Sequence, residues 1–236
     1  MDTLVSIIVP TYNRPDLLSR ALDSIAAQTY RDYEVLVVND AGLDVSNVVK
    51  RFSGAKYYRH GVNRGLAAAR NTALKHAQGH YIAYLDDDDW YYSRHLEALV
   101  SNLESTGYRA AYTDAHGIQR EEISRQLYCS REYSQVELLD HNLFPVLCVM
   151  HERSLIDEVG KFDETLRNHE DWDLWIRISA ATPFLHIREA TCAVDRTRET
   201  MNSDREAMLE GFDLVRNRYR NMNVGTLTGM QSYGRT

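Results

Sequence analysis

Four consecutive carboxylates, Asp86 to Asp89, follow the apolar run YIAYL and precede Trp90, Tyr91 and Tyr92. Carboxylates a few ångströms apart repel by roughly 3 kcal/mol per pair at an effective dielectric of about 20. Most acid runs are solvated loops, but this one is delivered by a run that reads as a buried strand, and three aromatic residues cap it. A divalent cation with oxygen ligands would neutralise it; Mg²⁺ typically takes one or two carboxylates and completes its shell with substrate phosphates. Asp40 also ends an apolar run, where a carboxylate can accept from a nucleobase N–H or a ribose hydroxyl, or cap a helix. HEDWDLW sets Glu170, Asp171 and Asp173 at a helix start beside Trp172 and Trp175. Acids there complement the helix dipole, and a carboxylate desolvated by aromatic surface becomes a stronger base. GVNRGLAAARN opens a helix whose free N–H groups attract anions, or is simply capped by glycine. It is not a Walker A motif, and no GxGxxG follows a strand.

Those residues need elements to hold them. The pattern predicts strands at 4–9, 33–38, 56–60 and 81–85. Helices alternate with them at 15–28, 44–52, 65–78 and 93–104. Leu17, Leu18, Ala21, Leu22 and Ile25 form the buried face of the first helix. Strict alternation argues for an α/β fold with a parallel, doubly wound sheet, in which ligands sit outside the carboxyl ends of the strands. Three of those ends carry PTYNR, ND and DDDD, so all three should open onto one crevice. The second half is less regular. Strands are expected near 109–114 and 118–128, and helices at 134–139, up to Gly160, at 170–181 and at 203–220. FLHIREATCAV reads as one long strand or a strand pair, and 221–236 as a fraying tail.

Composition narrows the class. Apolar residues at 44% and charged residues at 26% are ordinary globular values. The net charge of −7 lacks the basic stripe of a nucleic-acid binder. Cys129, Cys148 and Cys192 show no CxxC spacing, which points to a reducing compartment and no zinc site. MDTLVSIIVP has an acid where a secretory leader needs basic residues, and its apolar run is too short to span a bilayer. The expectation is a cytoplasmic protein, with peripheral attachment to the inner face of a membrane left open. Oligomeric state is unreadable.

Five stretches in order between residues 5 and 180 resemble the family 2 glycosyltransferases: VSIIVPTYNR, EVLVVNDAGLD, NRGLAAARNTAL, GHYIAYLDDDDW and VGKFDETLRNHEDWDLWIRIS. The resemblance implies a GT-A fold, with a Rossmann-like, mostly parallel sheet flanked by helices and a smaller mixed acceptor-side portion. Residues 1–105 would bind the nucleotide-sugar, and 106–220 would bind the acceptor and supply the base. Pro10, Thr11, Tyr12 and Arg14 would line the nucleotide pocket, Asp40 would bind the base (commonly uracil), and Asn63, Gly65 and Arg70 would lie beside the nucleotide. Asp86 and Asp87 would sit near ribose and diphosphate, with Asp88 ligating Mn²⁺ or Mg²⁺. Asp171 would be the catalytic base, with Glu170 and Trp172 shaping the acceptor pocket. The implied reaction is inverting transfer from a nucleotide-sugar, UDP-sugars favoured, to a hydroxyl of a glycan, a lipid-linked glycan or another acceptor.

Two departures stand out. NDAG replaces the usual DDGS, and AVDRTRETMNS lacks the histidine that many members carry after the last strands. Arg196 or Arg198 would then contact the diphosphate, unless simply solvated; His169 and His186 are alternative substitutes. A nucleotidyltransferase would want a glycine-rich basic loop where PTYNRPD offers one arginine. A phospho-acceptor receiver domain accounts for VVND alone. A non-catalytic nucleotide-sugar-binding module is opposed only by the intact Asp88 and Asp171.

Overall fold

The β-branched run Val5–Thr11 is buried along its whole length and forms β1, the middle of the first half of the sheet. In the computed structural model, which describes residues 4–119, 122–196 and 205–220, β1 pairs in parallel with β2 (Tyr33–Asn39) and β4 (Tyr81–Tyr84). The third parallel pairing joins β2 to β3 (Ala55–Arg59). Helix α1 (Pro15–Ala26) starts with proline in its first turn and buries the five apolar residues that its period marks. Next come α2 (Ser46–Val49), shorter than the pattern predicts, and α3 (Leu66–His76). A two-residue strand β5 (Trp90–Tyr91) and α4 (His95–Thr106) follow. Gly107, at φ +72°, closes α4 in the left-handed conformation that glycine adopts freely.

The sheet is not doubly wound throughout. Strand β8 (Val149–Glu152), which no sequence signal marked, inserts antiparallel between β4 and β6 (Ala110–Gln119). Four residues are too few to show a strand period. Strands β6 and β7 (Glu122–Cys129) form a hairpin, and FLHIREATCAVD is one long strand, β9 (Phe184–Asp195), parallel to β6. The order is β3-β2-β1-β4-β8-β6-β9-β5, with β7 on β6. Helices α5 (Gln135–Leu138), α6 (Ser154–Val159), α7 (Glu170–Ala181) and α8 (Arg205–Tyr219) complete the described chain. Trp172 and Trp175 of α7 are wholly buried, and truncating such a side chain costs roughly 3–5 kcal/mol. The tail at 221–236 lies outside the described residues. Among those described, no helix is long and apolar enough to cross a membrane.

At the amino end of β1, Ser6 Oγ donates to Glu34 Oε1 at 2.6 Å and accepts the Gly79 N–H at 2.8 Å. Glu34 also takes the Gln78 N–H and an ion pair from Lys56 at 2.7 Å. Glycine is required at 79, because a Cβ there would lie 2.5 Å from the Ser6 nitrogen.

Candidate active site

The opposite, carboxyl edge of the parallel strands carries a cavity of about 850 Å³. It is lined by Pro10, Thr11, Tyr12, Arg14, Asp40, Asn63, Gly65, Arg70, Asp86, Asp87, Asp88, Glu170, Asp171 and Arg196. The expectation of one shared crevice therefore holds, although the pieces come from both halves of the chain. Two expected residues are not among them. Trp172 is fully buried, donates Nε1–H to the Leu138 carbonyl at 2.6 Å and stacks on Phe212, so it packs behind the crevice rather than shaping an acceptor pocket. Arg198 lies outside the described residues.

Arginines, rather than a metal alone, answer much of the charge on the acid run. Arg14 Nη1 reaches Asp88 at 2.7 Å and Asp87 at 3.2 Å, and Thr11 Oγ1 donates to Asp87 at 2.7 Å. Arg70, almost wholly buried, pairs with Asp86 at 2.7 Å and with Glu170. Asp89 accepts the Asp195 N–H at 2.9 Å, tying the run to the end of β9. Arg20, stacked 4.4 Å over Trp90, binds the Asp88 carbonyl and pairs with Asp195 at 2.9 Å.

Two guanidiniums shared among four carboxylates leave negative charge uncompensated. Burial pushes Asp87 up to about 6, with Asp88 and Asp86 adding to the rise against the Thr11 hydrogen bond and Arg14. Burial and Asp86 raise Asp88. Burial pushes Glu170 up to about 7, with Asp171 and Asp86 adding to the rise and Arg70, which it shares with Asp86, opposing it. Among the described residues no three His, Cys, Asp or Glu side chains converge as a preformed metal cage.

Asp40 is seen in the capping one of its two sequence readings. The Asp40 N–H continues the β1 ladder by donating to the Thr11 carbonyl at 3.0 Å. Its Oδ1 meets His60 Nδ1 at 2.6 Å and the Arg64 N–H at 2.9 Å, and its Oδ2 takes the Gly65 N–H at 2.7 Å. The carboxylate thus buckles the loop that opens α3, and a carboxylate's roughly four acceptor positions leave Oδ2 one more donor to receive. Gly65 sits at φ +90°, which favours glycine.

Asp171 is held from two sides: Oδ1 accepts the Trp172 N–H at 2.7 Å and Oδ2 accepts Asn142 Nδ2–H at 3.1 Å. Burial raises this carboxyl, opposed by Arg70, which makes it a stronger base than a solvated aspartate. The two histidines weighed as metal substitutes have other partners. His169 Nε2 lies 3.1 Å from the Met208 carbonyl, while His186 meets Asp114 at 2.7 Å, stacks on Tyr112 and lies off the cavity.

Sequence reading missed Asn142, Arg20, Tyr128 and Asn168, and gave Asp89 no part of its own within the acid run. Asn142 and Arg20 act across 29 and 175 residues of chain, with no local pattern to mark them. One signal was available for the loops. The only non-glycine residues at positive φ among those described are Asn13, Ala41 and His169, at +59°, +63° and +57°, each in a loop bordering the crevice. Such strain gathers at functional sites.

Known structures share this architecture. S. aureus TarS in complex with UDP-GlcNAc superposes with TM-score 0.78 at 19% identity, over 95% of this chain and 69% of that one. The mannosyltransferase PcManGT from Pyrobaculum calidifontis, in complex with GDP-Man and Mn²⁺, does so with TM-score 0.73 at 19% identity, over 99% and 71%. The fold is that of the GT-A glycosyltransferases. The family model "Glycosyl transferase family 2" matches residues 6–152, and the chain belongs to that family. A glycosyltransferase of Rickettsia prowazekii is 34% identical over 185 residues, 74% of this chain and 58% of its own length. WfgD of Escherichia coli, a UDP-Glc:α-D-GlcNAc-diphosphoundecaprenol β-1,3-glucosyltransferase, is 32% identical over 180 residues, 75% of this chain and 70% of its own. The chain spans 30% of a Rickettsia conorii relative that it also matches.

Proposed function

We propose that the protein is an inverting, divalent-cation-dependent glycosyltransferase. It moves a sugar from a nucleoside-diphosphate donor, UDP-sugars first, to a hydroxyl of a glycan or lipid-linked acceptor in polysaccharide or glycoconjugate synthesis. Residues 1–105 carry the donor side, and 106–220 the acceptor side and the base. The supporting observation is the excess of carboxylates over guanidiniums around Asp86–Asp88, facing a half-buried Asp171 across one cavity.

The donor set fits Mn²⁺ or Mg²⁺. Asp88 supplies an oxygen, burial with neighbouring acids makes its charged form costly without a cation, and the donor's phosphates complete the shell. Bound there, the cation supplies electrostatic stabilisation of the departing diphosphate. Asp171 takes the proton of the acceptor hydroxyl as its oxygen attacks the anomeric carbon. The bond to the β-phosphate oxygen breaks with its electron pair, and a single in-line displacement inverts the centre. The uncommitted Oδ2 position of Asp40 receives a base N–H, and Arg196 faces the diphosphate. TarS binds UDP and UDP-GlcNAc, and WfgD uses UDP-Glc, which favours UDP-sugars. The WfgD acceptor is lipid-linked, which favours work at the inner face of a membrane.

The test is release of nucleoside diphosphate from a panel of UDP-, GDP- and dTDP-sugars with Mn²⁺, with glycan and lipid-linked acceptors. Turnover of one donor that Asp171→Asn abolishes supports the assignment. Donor binding without turnover for any acceptor leaves a binding module instead.

A further inference from the structure

A glycine in the middle of a helix weakens it, so its presence asks what the missing Cβ makes room for. Gly211 lies inside α8, and a Cβ there would overlap Asn168 Oδ1 and come within 2.8 Å of Asn168 Cγ. Asn168 stands three residues before Asp171, on the cavity wall, and its Nδ2–H donates to the Ala207 carbonyl at 3.0 Å. One residue on, His169 holds the Met208 carbonyl at 3.1 Å while its own backbone takes φ +57° at the start of α7. Beyond Asp171, Phe212 stacks on Trp172 with ring centroids 5.1 Å apart. Asp173, fully buried, receives Arg218 at 2.7 Å and the Tyr219 hydroxyl at 2.8 Å. Helix α8 therefore grips positions 168, 169, 172 and 173 around residue 171 without touching the cavity itself.

We infer that α8 is a buttress that sets the aim of the catalytic base, and that Gly211 and Phe212 are positioning residues for the transfer step. The inference rests on Asp171 being the base. The strained turn at His169 is held by the Asp173 N–H on its carbonyl at 3.1 Å and, from behind, by the α8 backbone. The Trp172 N–H that orients Asp171 Oδ1 is carried by the same turn.

The experiment compares wild type, Gly211→Ala, Asn168→Ala and the double variant by donor hydrolysis with UDP-glucose and UDP-GlcNAc, and by amide hydrogen exchange over 168–173. Helix propensity alone makes Gly211→Ala stabilising. The buttress instead predicts faster exchange across 168–173. It also predicts a fall in kcat on the order of a hundredfold, as for a group displaced by roughly 1 Å, with donor KM within about twofold. Removing the Asn168 side chain relieves the overlap, so the double variant should be no slower than Asn168→Ala, a strongly non-additive cycle. Additive losses, or unchanged kcat and exchange in Gly211→Ala, overturn the inference. If Gly211→Ala does not fold, Phe212→Leu is read in the same assays, and unchanged kcat and exchange there overturn it equally. If wild type hydrolyses neither donor, the choice of UDP-sugar donor fails on that ground, and hydrogen exchange still decides the buttress.

Discussion

Two charged clusters sit at opposite ends of β1, and they are built on different terms. At the amino end, Glu34 has a partner for each oxygen. Burial alone would raise its carboxyl, but hydrogen bonds from Lys56, Ser6 and the Gln78 N–H hold it below the ordinary range. At the carboxyl end, Asp86, Asp87, Asp88 and Glu170 divide two guanidiniums, and burial wins: Asp87, Asp88 and Glu170 are all pushed up. The first cluster is complete and holds the fold. The second is incomplete, and its deficit is what a cation and a diphosphate donor would fill. A matched buried carboxylate thus reads as architecture, and an under-matched one beside a cavity as a ligand site.

The largest effect should come from the proposed base. Asp171→Asn is expected to cut transfer by about 10³-fold or more while leaving donor affinity within a few-fold, measured by steady-state rates and nucleotide titration. Near-normal transfer would remove the carboxyl end's claim to catalysis. Next is the stability contrast itself. Glu34→Ala strands the donors of Ser6, Gln78 and Lys56, and should cost about 3 kcal/mol in denaturant unfolding with nucleotide affinity kept. Asp87→Asn, made at the other end, should leave the free protein unchanged or raise its stability by about 1 kcal/mol, because an unfavourable charge is removed. Equal losses at both ends would erase the distinction.

The same contrast has a pH signature. Asp87 and Glu170 titrate higher in the folded chain, at about 6 and about 7, than the roughly 4 of an unfolded carboxyl. The folded state therefore binds protons more tightly. That stability is complete below pH about 4 and is lost as pH climbs through 6 and 7. Denaturant melts of the free protein should lose roughly 4 kcal/mol between pH 5 and 8, less so in Asp87→Asn. The smallest effect concerns Ala41, at φ +63° where the family pattern has glycine. Ala41→Gly should relieve left-handed strain and raise stability by about 0.5–1 kcal/mol in the same melts.

Much of the crevice was legible because parallel strands put their carboxyl ends on one edge, so PTYNR, ND and DDDD had to meet. The acid run and α7 are local patterns and stood out for that reason. Pairings that span the chain left no local trace: Arg70 reaches Glu170 across 100 residues, and Asn142 reaches Asp171 across 29. Trp172 misled because an aromatic beside an acid looks the same in sequence whether it faces a cavity or, as here, the Leu138 carbonyl and Phe212. Strand β8 was invisible because its place comes from its neighbours β4 and β6, not from its own period.

The most direct test of the central claim is calorimetric titration of UDP into wild type and Asp88→Asn, each with Mn²⁺ and with EDTA. The under-matched carboxyl edge predicts wild-type binding that depends on Mn²⁺ and weakens by about 10–100-fold in Asp88→Asn. Wild-type affinity identical with Mn²⁺ and EDTA, and unchanged in the variant, would contradict it.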